Sequence, residues 1–245
     1  MIKQLMQPVL TRALRLFLAI ALFTCALPNL AFAQSASDAF RTAYENRYTW
    51  DEDFPGYSAE VSINYQGQLD QGIVRVKPDL TVEAIDIDRD EAREFVVNQL
   101  KMEVIHRRRV PFDKIHEPDS FQLEGKDTSG AWKIREVGDE MNSHYKVKNN
   151  MITQVNRVMG EVAVTVNTIG TAKTPEGYLV THFQTIIRDA ETNEVLEKED
   201  VRDFHEKIGK YYLLTNREIR TTEAENPDAK LVPDTLVRFN DVQPL

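Results

Sequence analysis

The stretch YSAEVSINY, residues 57–65, decides the fold class, because apolar and polar side chains alternate along its whole length. Tyr57, Val61 and Tyr65 fall on one side of an extended backbone, and Ser58 and Ser62 fall on the other. A period of two is typical of a strand with one buried face. The stretch therefore predicts a β-strand that lies on a core.

Strand patterns continue to the end of the chain. Residues Ile73–Val76 and Thr81–Ile87 follow the first strand after turns that contain Gly67 and Pro78. The later strand segments are Ser120–Leu123, Ala131–Val137, Ser143–Lys148, Met151–Met159, Val162–Val166, Tyr178–Ile187, Val195–Lys207, Tyr211–Thr221 and Leu236–Phe239. Short turns join neighbouring strands. We predict a mainly β (α+β) fold, in which an antiparallel meander of about ten strands forms a curved sheet or an incomplete barrel.

Residues Asp88–Arg109 predict one long helix within this sheet protein. Asp88 and Glu91 have the spacing of a capping box, and the basic residues 106–109 complement the helix dipole in the last turn. One face carries an apolar stripe, made of Ala92, Phe95, Val96, Leu100 and Val104. Since the sheet is the only large apolar surface on offer, we expect this helix to cover it.

A short N-terminal helix precedes the first strand. Residues Ser37–Asn46 place Phe40, Ala43 and Tyr44 on one helical face. Four aromatic residues then surround a Pro-Gly turn, namely Tyr48, Trp50, Phe54 and Tyr57. We expect this aromatic segment to seal one end of the β core.

The beginning of the chain has the three parts of a secretory signal peptide. Residues 1–15 are basic without an acidic residue, and the apolar run Leu16–Leu27 is shorter than the roughly 20 residues of a membrane-spanning helix. Small residues at Ala31 and Ala33 then suit signal peptidase. We expect cleavage near Ala33 and Gln34, with residues 34–245 forming a single β-rich domain in an extracytoplasmic space, either the periplasm or the thylakoid lumen.

Two other fates of this N-terminus stay open, an uncleaved membrane anchor and a lipoprotein acylated at Cys25. Phe23 and Thr24 are bulkier than the small residues that lipoprotein processing usually requires. Cys25 is the only cysteine of the chain. Cleavage after Ala33 would therefore leave no thiol for a disulfide, a metal site or a nucleophile.

The charge balance argues against nucleic acid as a partner. The chain has 39 acidic and 30 basic residues and a net charge of -9, and residues 1–33 hold three of the basic residues and none of the acidic ones. Binding to nucleic acid or to an anionic lipid surface needs a clustered positive field. We therefore expect no nucleic-acid partner, and a protein that is not integral to the membrane.

No motif of the sequence identifies a reaction. None of the five histidines belongs to an H-E-x-x-H arrangement, and there is no G-x-S-x-G elbow and no glycine-rich nucleotide loop. His144, His182 and His205 fall on predicted strands, where they could meet across the sheet beside Asp203. We predict no catalytic residue, no metal and no cofactor.

The acidic residues of the same region have a plainer interpretation. They are Glu197, Glu199, Asp200 and Asp203. In so acidic a chain, we expect them to form a solvated strand face rather than an acid and base pair.

The strands between Met151 and Ile187 bear most directly on function. They carry few charges, and both faces show Thr, Asn, Gln or aliphatic residues. A sheet face that meets water normally carries mostly polar side chains, so this region predicts a concave sheet with the long helix over it. The space between the sheet and the helix is then either filled by side chains or left as an apolar pocket. The candidate ligand-binding residues are Phe95, Val96, Leu100, Tyr65, Val164 and Phe183.

One segment resembles a known family. The string FRTAYENRYTWD at residues 40–51, followed by FPGY at residues 54–57, resembles the opening of an uncharacterised family, the domain of unknown function 3386, found mainly in photosynthetic lineages. The resemblance covers most of the chain after residue 33. It implies one domain in the periplasm or thylakoid lumen, and it brings no established catalytic residues.

The predicted order of elements is also loosely similar to periplasmic lipoprotein-carrier half-barrels, whose incomplete barrel shelters acyl chains. This likeness is architectural, so what it implies about function is an analogy. It favours an exported soluble binding or carrier protein for a lipid or another apolar small molecule. The alternatives are a protein-protein interaction or assembly factor with a solid core, which would work through the aromatic segment, and a hydrolase.

Overall fold

The computed structural model describes residues 35–223 and 234–245. The predicted signal peptide, its predicted cleavage site and Cys25 lie outside the described residues, so the predictions about them stay predictions. No helix among the described residues is both long and apolar enough to cross a membrane.

Twelve strands of the described chain form one antiparallel sheet. They are β1 (Tyr57–Tyr65), β2 (Gln68–Val76), β3 (Val82–Ile85), β4 (Phe121–Lys126), β5 (Trp132–Glu136), β6 (His144–Lys148), β7 (Met151–Met159), β8 (Val162–Thr174), β9 (Gly177–Asp189), β10 (Val195–Ile208), β11 (Tyr211–Glu223) and β12 (Thr235–Pro244). The prediction of a mainly β fold with an open, curved antiparallel sheet is confirmed, with twelve strands where about ten were expected.

The strand order departs from a simple meander at one place. Across the sheet it runs β3-β2-β1-β12-β11-β10-β9-β8-β7-β6-β5-β4. The last strand pairs with the first, for example Arg238 with Ser62 and Phe239 with Val61. This pairing joins an N-terminal group of three strands to a C-terminal group of nine. The edges are β3 and β4, so the sheet does not close into a barrel.

Within residues 35–223 and 234–245, two α-helices accompany the sheet, α1 (Ala36–Glu45) and α2 (Asp90–Arg107), together with single 3-10 turns at Phe112–Lys114 and Pro118–Ser120. Both α-helices lie within two residues of their predicted limits. The predicted capping box of α2 is wrong. Arg89 occupies the N-cap position and makes no capping hydrogen bond.

The Arg89 side chain instead ties the start of α2 to the sheet. Its Nη2 donates to Asp70 Oδ2 at 2.6 Å and to the Tyr65 carbonyl at 3.1 Å. A bond between the guanidinium and a carboxylate therefore holds the helix start where a local cap was expected.

Each helix packs over its own core. The core under α2 contains Ala92, Val96 and Leu100, each 0 % exposed, against residues of β1, β2, β11 and β12. The core under α1 is aromatic, and the Phe40 ring lies 4.2 Å from the Tyr145 ring, centroid to centroid. The predicted apolar stripe of α2 is confirmed, except that Phe95 is only partly buried.

The segment of residues 46–56, called the strap below, crosses the ends of several strands. The Tyr48 N–H donates to the Tyr178 carbonyl at 2.8 Å, and the Tyr48 hydroxyl accepts from the Tyr212 N–H at 2.8 Å. The Trp50 and Phe54 rings stack at 4.1 Å. Tyr48, Trp50, Phe54 and Tyr57 are at most 4 % exposed. The aromatic segment therefore seals this end of the core, as predicted.

Gly177 makes the close approach of the strap possible. It has a φ of +141°, and a Cβ at this position would lie 2.3 Å from the Asn46 carbonyl oxygen. Only glycine leaves room here for the strap to form hydrogen bonds with Tyr178, the next residue of β9.

Candidate ligand-binding site

The strand register brings the aliphatic residues of β7, β8 and β9 to one face. Directly paired residues of antiparallel strands point to the same side. Val164 pairs with Ile187, and Val166 pairs with both Thr185 and Val155. The set that shares this face, called the trough below, consists of Val155, Val164, Val166, Thr168, Phe183, Thr185 and Ile187.

The trough faces the same side as both helices. On the β10 side, Phe183 pairs with Val201, which pairs with Ile219. Arg217, two residues before Ile219 and on the same face, donates to Gln99 Oε1 of α2 at 2.8 Å.

On the other side, Val155 pairs with Tyr145, whose ring contacts Phe40 of α1. In the strand order, the trough therefore lies between the part of the sheet under α1 and the part under α2.

The trough residues are only half-buried, unlike their neighbours under the helices. Val201 and Ile219, next to Phe183 along the same row, are each 2 % exposed. Burial thus decreases from the α2 side of this face towards Val164 and Ile187. An aliphatic floor is left accessible next to two packed cores.

The opposite face of the same strands is more polar, although Val158, Ala163 and Ile186 also lie on it. Gln154 donates to Asn167 Oδ1 at 2.7 Å, and Thr165 donates to Asn156 Oδ1 at 3.1 Å. The sequence suggested mixed faces in this region. The register instead places most of the aliphatic residues on the helix side and most of the amides on the other.

The six predicted ligand-binding residues occupy three places. Val164 and Phe183 belong to the trough. Val96 and Leu100 are 0 % exposed in the core under α2. Tyr65 and Phe95 stack at 4.6 Å against the edge of that core. The structure does not gather all six around one cavity, and their role in binding stays a prediction.

A buried ionic cluster, which sequence reasoning missed, joins α2 to the sheet. It consists of Glu103, Arg107, Asp203, His205 and Arg217. Arg107 Nε donates to Glu103 Oε1 at 2.8 Å. Arg217 donates to both oxygens of Asp203, at 2.7 and 2.6 Å. Every side chain of the cluster is at most 6 % exposed.

This cluster corrects one sequence interpretation. Asp203 does not belong to a solvated strand face, because it shares the inner face of β10 with Val201 and pairs with Arg217. Arg107 lies in the last turn of α2, as predicted, and it also bonds Glu103 inside the protein. The spacing of four residues between Glu103 and Arg107, in continuation of the apolar stripe, is a sequence signal that could have revealed the pair.

The arginines decide what this cluster can do. Glu103, Asp203 and His205 present atoms within 4.8 Å of one another, a spacing that could hold a metal ion. Burial alone would raise the pKa of Glu103, but Arg107, the His205 hydrogen bond and Arg217 together hold that pKa well below its usual range. Two carboxylates and two guanidinium groups balance in charge, so the arrangement favours an ionic link over a cation site.

The histidines on the strands do not converge. His144 Nδ1 lies 3.4 Å from Glu124, His182 Nε2 lies 2.9 Å from Asp200, and His205 Nε2 lies 3.3 Å from Glu103. Each imidazole thus has its own carboxylate at a separate place on the sheet. The meeting of three histidines beside Asp203 that the sequence allowed is not formed, and the hydrolase alternative stays a hypothesis.

Charged residues of opposite sign flank the trough. Arg157 on β7 pairs with Val164, and Glu199 on β10 pairs with Thr185. Burial, followed by the nearby charge of Glu197, raises the pKa of Glu199. The trough is therefore basic on its β7 side and acidic on its β10 side.

Comparison with known proteins identifies the family of the chain but does not identify a function. No curated protein matches it significantly. A solved structure of a DUF1329 family protein from Desulfovibrio piger is similar at 9 % identity, over 86 % of this chain and 94 % of that one, with a TM-score of 0.28. The model of the family described as "Protein of unknown function (DUF3386)" matches residues 31–245. The chain therefore belongs to the DUF3386 family.

Proposed function

We propose that this protein is an exported binding or carrier protein that holds an apolar ligand, such as a lipid acyl chain, in the trough. The observation that supports this proposal most is the half-buried aliphatic floor of β7, β8 and β9, which lies on the same face as two fully packed cores. An aliphatic sheet face is normally covered, and an accessible one is typical of a binding surface. Export rests on the N-terminal sequence.

The chemistry of the floor favours an acyl chain over a polar ligand. Val155, Val164, Val166 and Ile187 offer no hydrogen-bonding group, so they would recognise a ligand by shape and desolvation. Three strands span about 10 Å, and the five residues from Phe183 to Ile187, which are separated by four steps along the strand, span about 13 Å. These dimensions suit one extended hydrocarbon chain.

Lipid extraction tests this proposal. The protein is purified from its exported fraction, extracted with organic solvent and analysed by lipid mass spectrometry. We expect a near-stoichiometric acyl lipid in the wild type and its loss in Val164→Asp, because a carboxylate in the floor would have to be desolvated by the chain.

The neighbouring residue supplies the control. Ala163 is also half-buried but lies on the opposite face of β8, so Ala163→Asp should retain the lipid. Circular dichroism establishes that both variants are folded. A folded wild type without co-purifying lipid, which also fails to bind added fatty acid or fatty alcohol, would refute the proposal.

The assembly-factor alternative gains no support from the strap. Its working surface was expected to be the aromatic segment, and Trp50 is 2 % exposed while its indole N–H donates to the Tyr212 carbonyl at 3.4 Å. A residue so enclosed offers a partner no surface.

A further inference from the structure

We infer that the ligand of the trough is an amphiphile with an anionic head, whose carboxylate or phosphate group binds Arg157. This inference rests on the proposed function and names the class of ligand. It is argued from the position of Arg157, from its lack of a carboxylate partner, and from the acidic residues on the far side of the floor.

Arg157 is placed at the border of the aliphatic floor. It pairs directly with Val164, and it lies two residues after Val155 on the same strand. Residues two apart on a strand share a face, so the Arg157 side chain leaves the sheet on the trough side. A chain lying on Val164 and Ile187 therefore has a guanidinium group within reach of one end.

The Arg157 side chain is held in place by neutral groups. Its Nε donates to Ser143 Oγ at 3.2 Å, and its Nη2 donates to the Tyr145 hydroxyl at 3.3 Å. The Tyr145 hydroxyl in turn donates to Glu136 Oε2 at 2.8 Å, which leaves its oxygen lone pairs for Arg157. The guanidinium is thus oriented in advance, a condition that lowers the entropic cost of binding.

Arg157 has no ion pair with any residue of 35–223 or 234–245. Although burial opposes it, hydrogen bonds from Ser143 and the nearby charge of Arg157 lower the pKa of Asp139. Asp139 Oδ2 already accepts from the Ser143 N–H at 3.0 Å. The buried arginines Arg107 and Arg217 both contact carboxylates directly. A half-buried guanidinium group that has no carboxylate partner is stabilised when it binds an anion.

The far side of the trough fixes the direction of the ligand. Glu197 and Glu199 lie on the same face of β10, three strands away from Arg157. Their charges would repel an anionic head, which therefore belongs on the β7 side with its hydrocarbon chain directed towards β9.

Head-group preference is the test. Binding of palmitate, hexadecyl phosphate and methyl palmitate is measured on the wild type by displacement of a fluorescent fatty-acid analogue, with inorganic phosphate as a competitor. We expect both anionic amphiphiles to bind about tenfold more tightly than the ester, as one charge-assisted contact implies. Inorganic phosphate alone should not displace the probe, which separates a lipid head from free phosphate.

Two variants assign the preference to one residue. Arg157→Gln should lose the preference for the anions, so that palmitate and hexadecyl phosphate bind no more tightly than methyl palmitate. Arg188→Gln is the matched control, because Arg188 lies on the opposite face of β9, where it donates to Thr165 Oγ1 at 3.3 Å, and it should keep the preference.

The possible failures are distinguishable. Equal binding of all three amphiphiles by the wild type would overturn the anionic head and leave the carrier function standing. A preference that persists in Arg157→Gln would overturn the role of Arg157. A folded wild type that binds none of the three would overturn the proposed function itself.

Discussion

Arg217 joins three segments of the chain through one guanidinium group. It bonds Asp203 on the neighbouring strand, it lies 3.7 Å from Glu103, and it donates to Gln99, which is 118 residues away in sequence. Burying these charges is costly unless every one of them is paired. The link between α2 and the sheet therefore depends strongly on this residue.

Replacing Arg217 by methionine should be severely destabilising. Arg217→Met keeps an apolar side chain of similar length but leaves the Asp203 carboxylate buried without its partner, so we expect a loss of about 3–5 kcal/mol in the free energy of unfolding. Denaturation by urea measures it.

Arg202→Met on the same strand is the control. The Arg202 side chain is 47 % exposed, and its Nε lies 3.9 Å from Asp200, so at most about 1 kcal/mol should be lost. Equal stabilities of the two variants would mean that the buried cluster contributes nothing specific.

Acid should weaken the same cluster. Although burial opposes it, Arg107, His205 and Arg217 lower the pKa of Glu103 in the folded protein. A lowered carboxyl pKa gives stability that is complete above the unfolded value, about 4.3, and is lost as the pH falls towards the folded value.

We therefore expect the wild type to lose stability between about pH 5 and pH 3. Glu103→Gln should be less stable at pH 7 but should depend less on pH over this range. Urea midpoints at pH 7, 5 and 3 measure both effects. Parallel pH profiles of the two proteins would show that Glu103 does not carry this dependence.

At the level of elements, local patterns predict more than distant ones. The limits of β1 and β7 agree with the sequence prediction to the residue, because alternation is a property of the strand itself. The start of α2 does not follow the predicted cap, since Arg89 finds Asp70 on β2 instead. The choice between a local and a distant partner depends on the folded chain, which no local pattern reports.

Docking of α1 should depend on Phe40. This side chain is 1 % exposed and its ring lies 4.2 Å from Tyr145 and 4.7 Å from Phe121. Phe40→Ala should lower the free energy of unfolding by about 3–5 kcal/mol, through lost burial and a residual cavity.

Equilibrium unfolding, followed by near-ultraviolet circular dichroism, would report this loss. In Ile105→Ala, the control, the side chain removed from α2 is 62 % exposed, and the change should stay within about 0.5 kcal/mol. A Phe40→Ala protein as stable as this control would contradict the packing described for α1.

At the level of the whole molecule, the last strand completes the sheet. Removal of residues 234–245 would take Val237 and Phe239 out of the core and leave β1 and β11 as unpaired edges. Exposed apolar edges associate with other chains. We expect the shortened protein to be aggregated or insoluble, as measured by size-exclusion chromatography.

A shorter deletion provides the comparison. Removing Pro244 and Leu245 costs one residue pair, Tyr57 with Pro244, and the bond from the Leu245 N–H to the Gly56 carbonyl. This protein should remain monodisperse. A monodisperse, cooperatively folding chain that lacks all of β12 would contradict its place in the sheet.

The candidate site was only partly predictable from the sequence, because local patterns do not report which distant residues become neighbours in the folded chain. The low charge of residues 151–187 indicated the correct strands, because composition is visible without a fold. The face on which Val164 and Phe183 lie, and the burial of Asp203, follow from the pairing of β8, β9, β10 and β11. Arg157 could not be recognised, because its lack of an acidic partner is a property of the folded surroundings.

The pairing of the first strand with the last has a consequence for biosynthesis. A ribosome makes β1, β2, β3 and α2 early, but the partners that cover them, among them Leu213, Arg217 and Phe239, emerge only after roughly 100 further residues. The early segments cannot complete a native domain while the chain is being made, and their contacts are among the slowest to form. The N-terminal strands therefore stay without their native neighbours until the strands that cover them have been made.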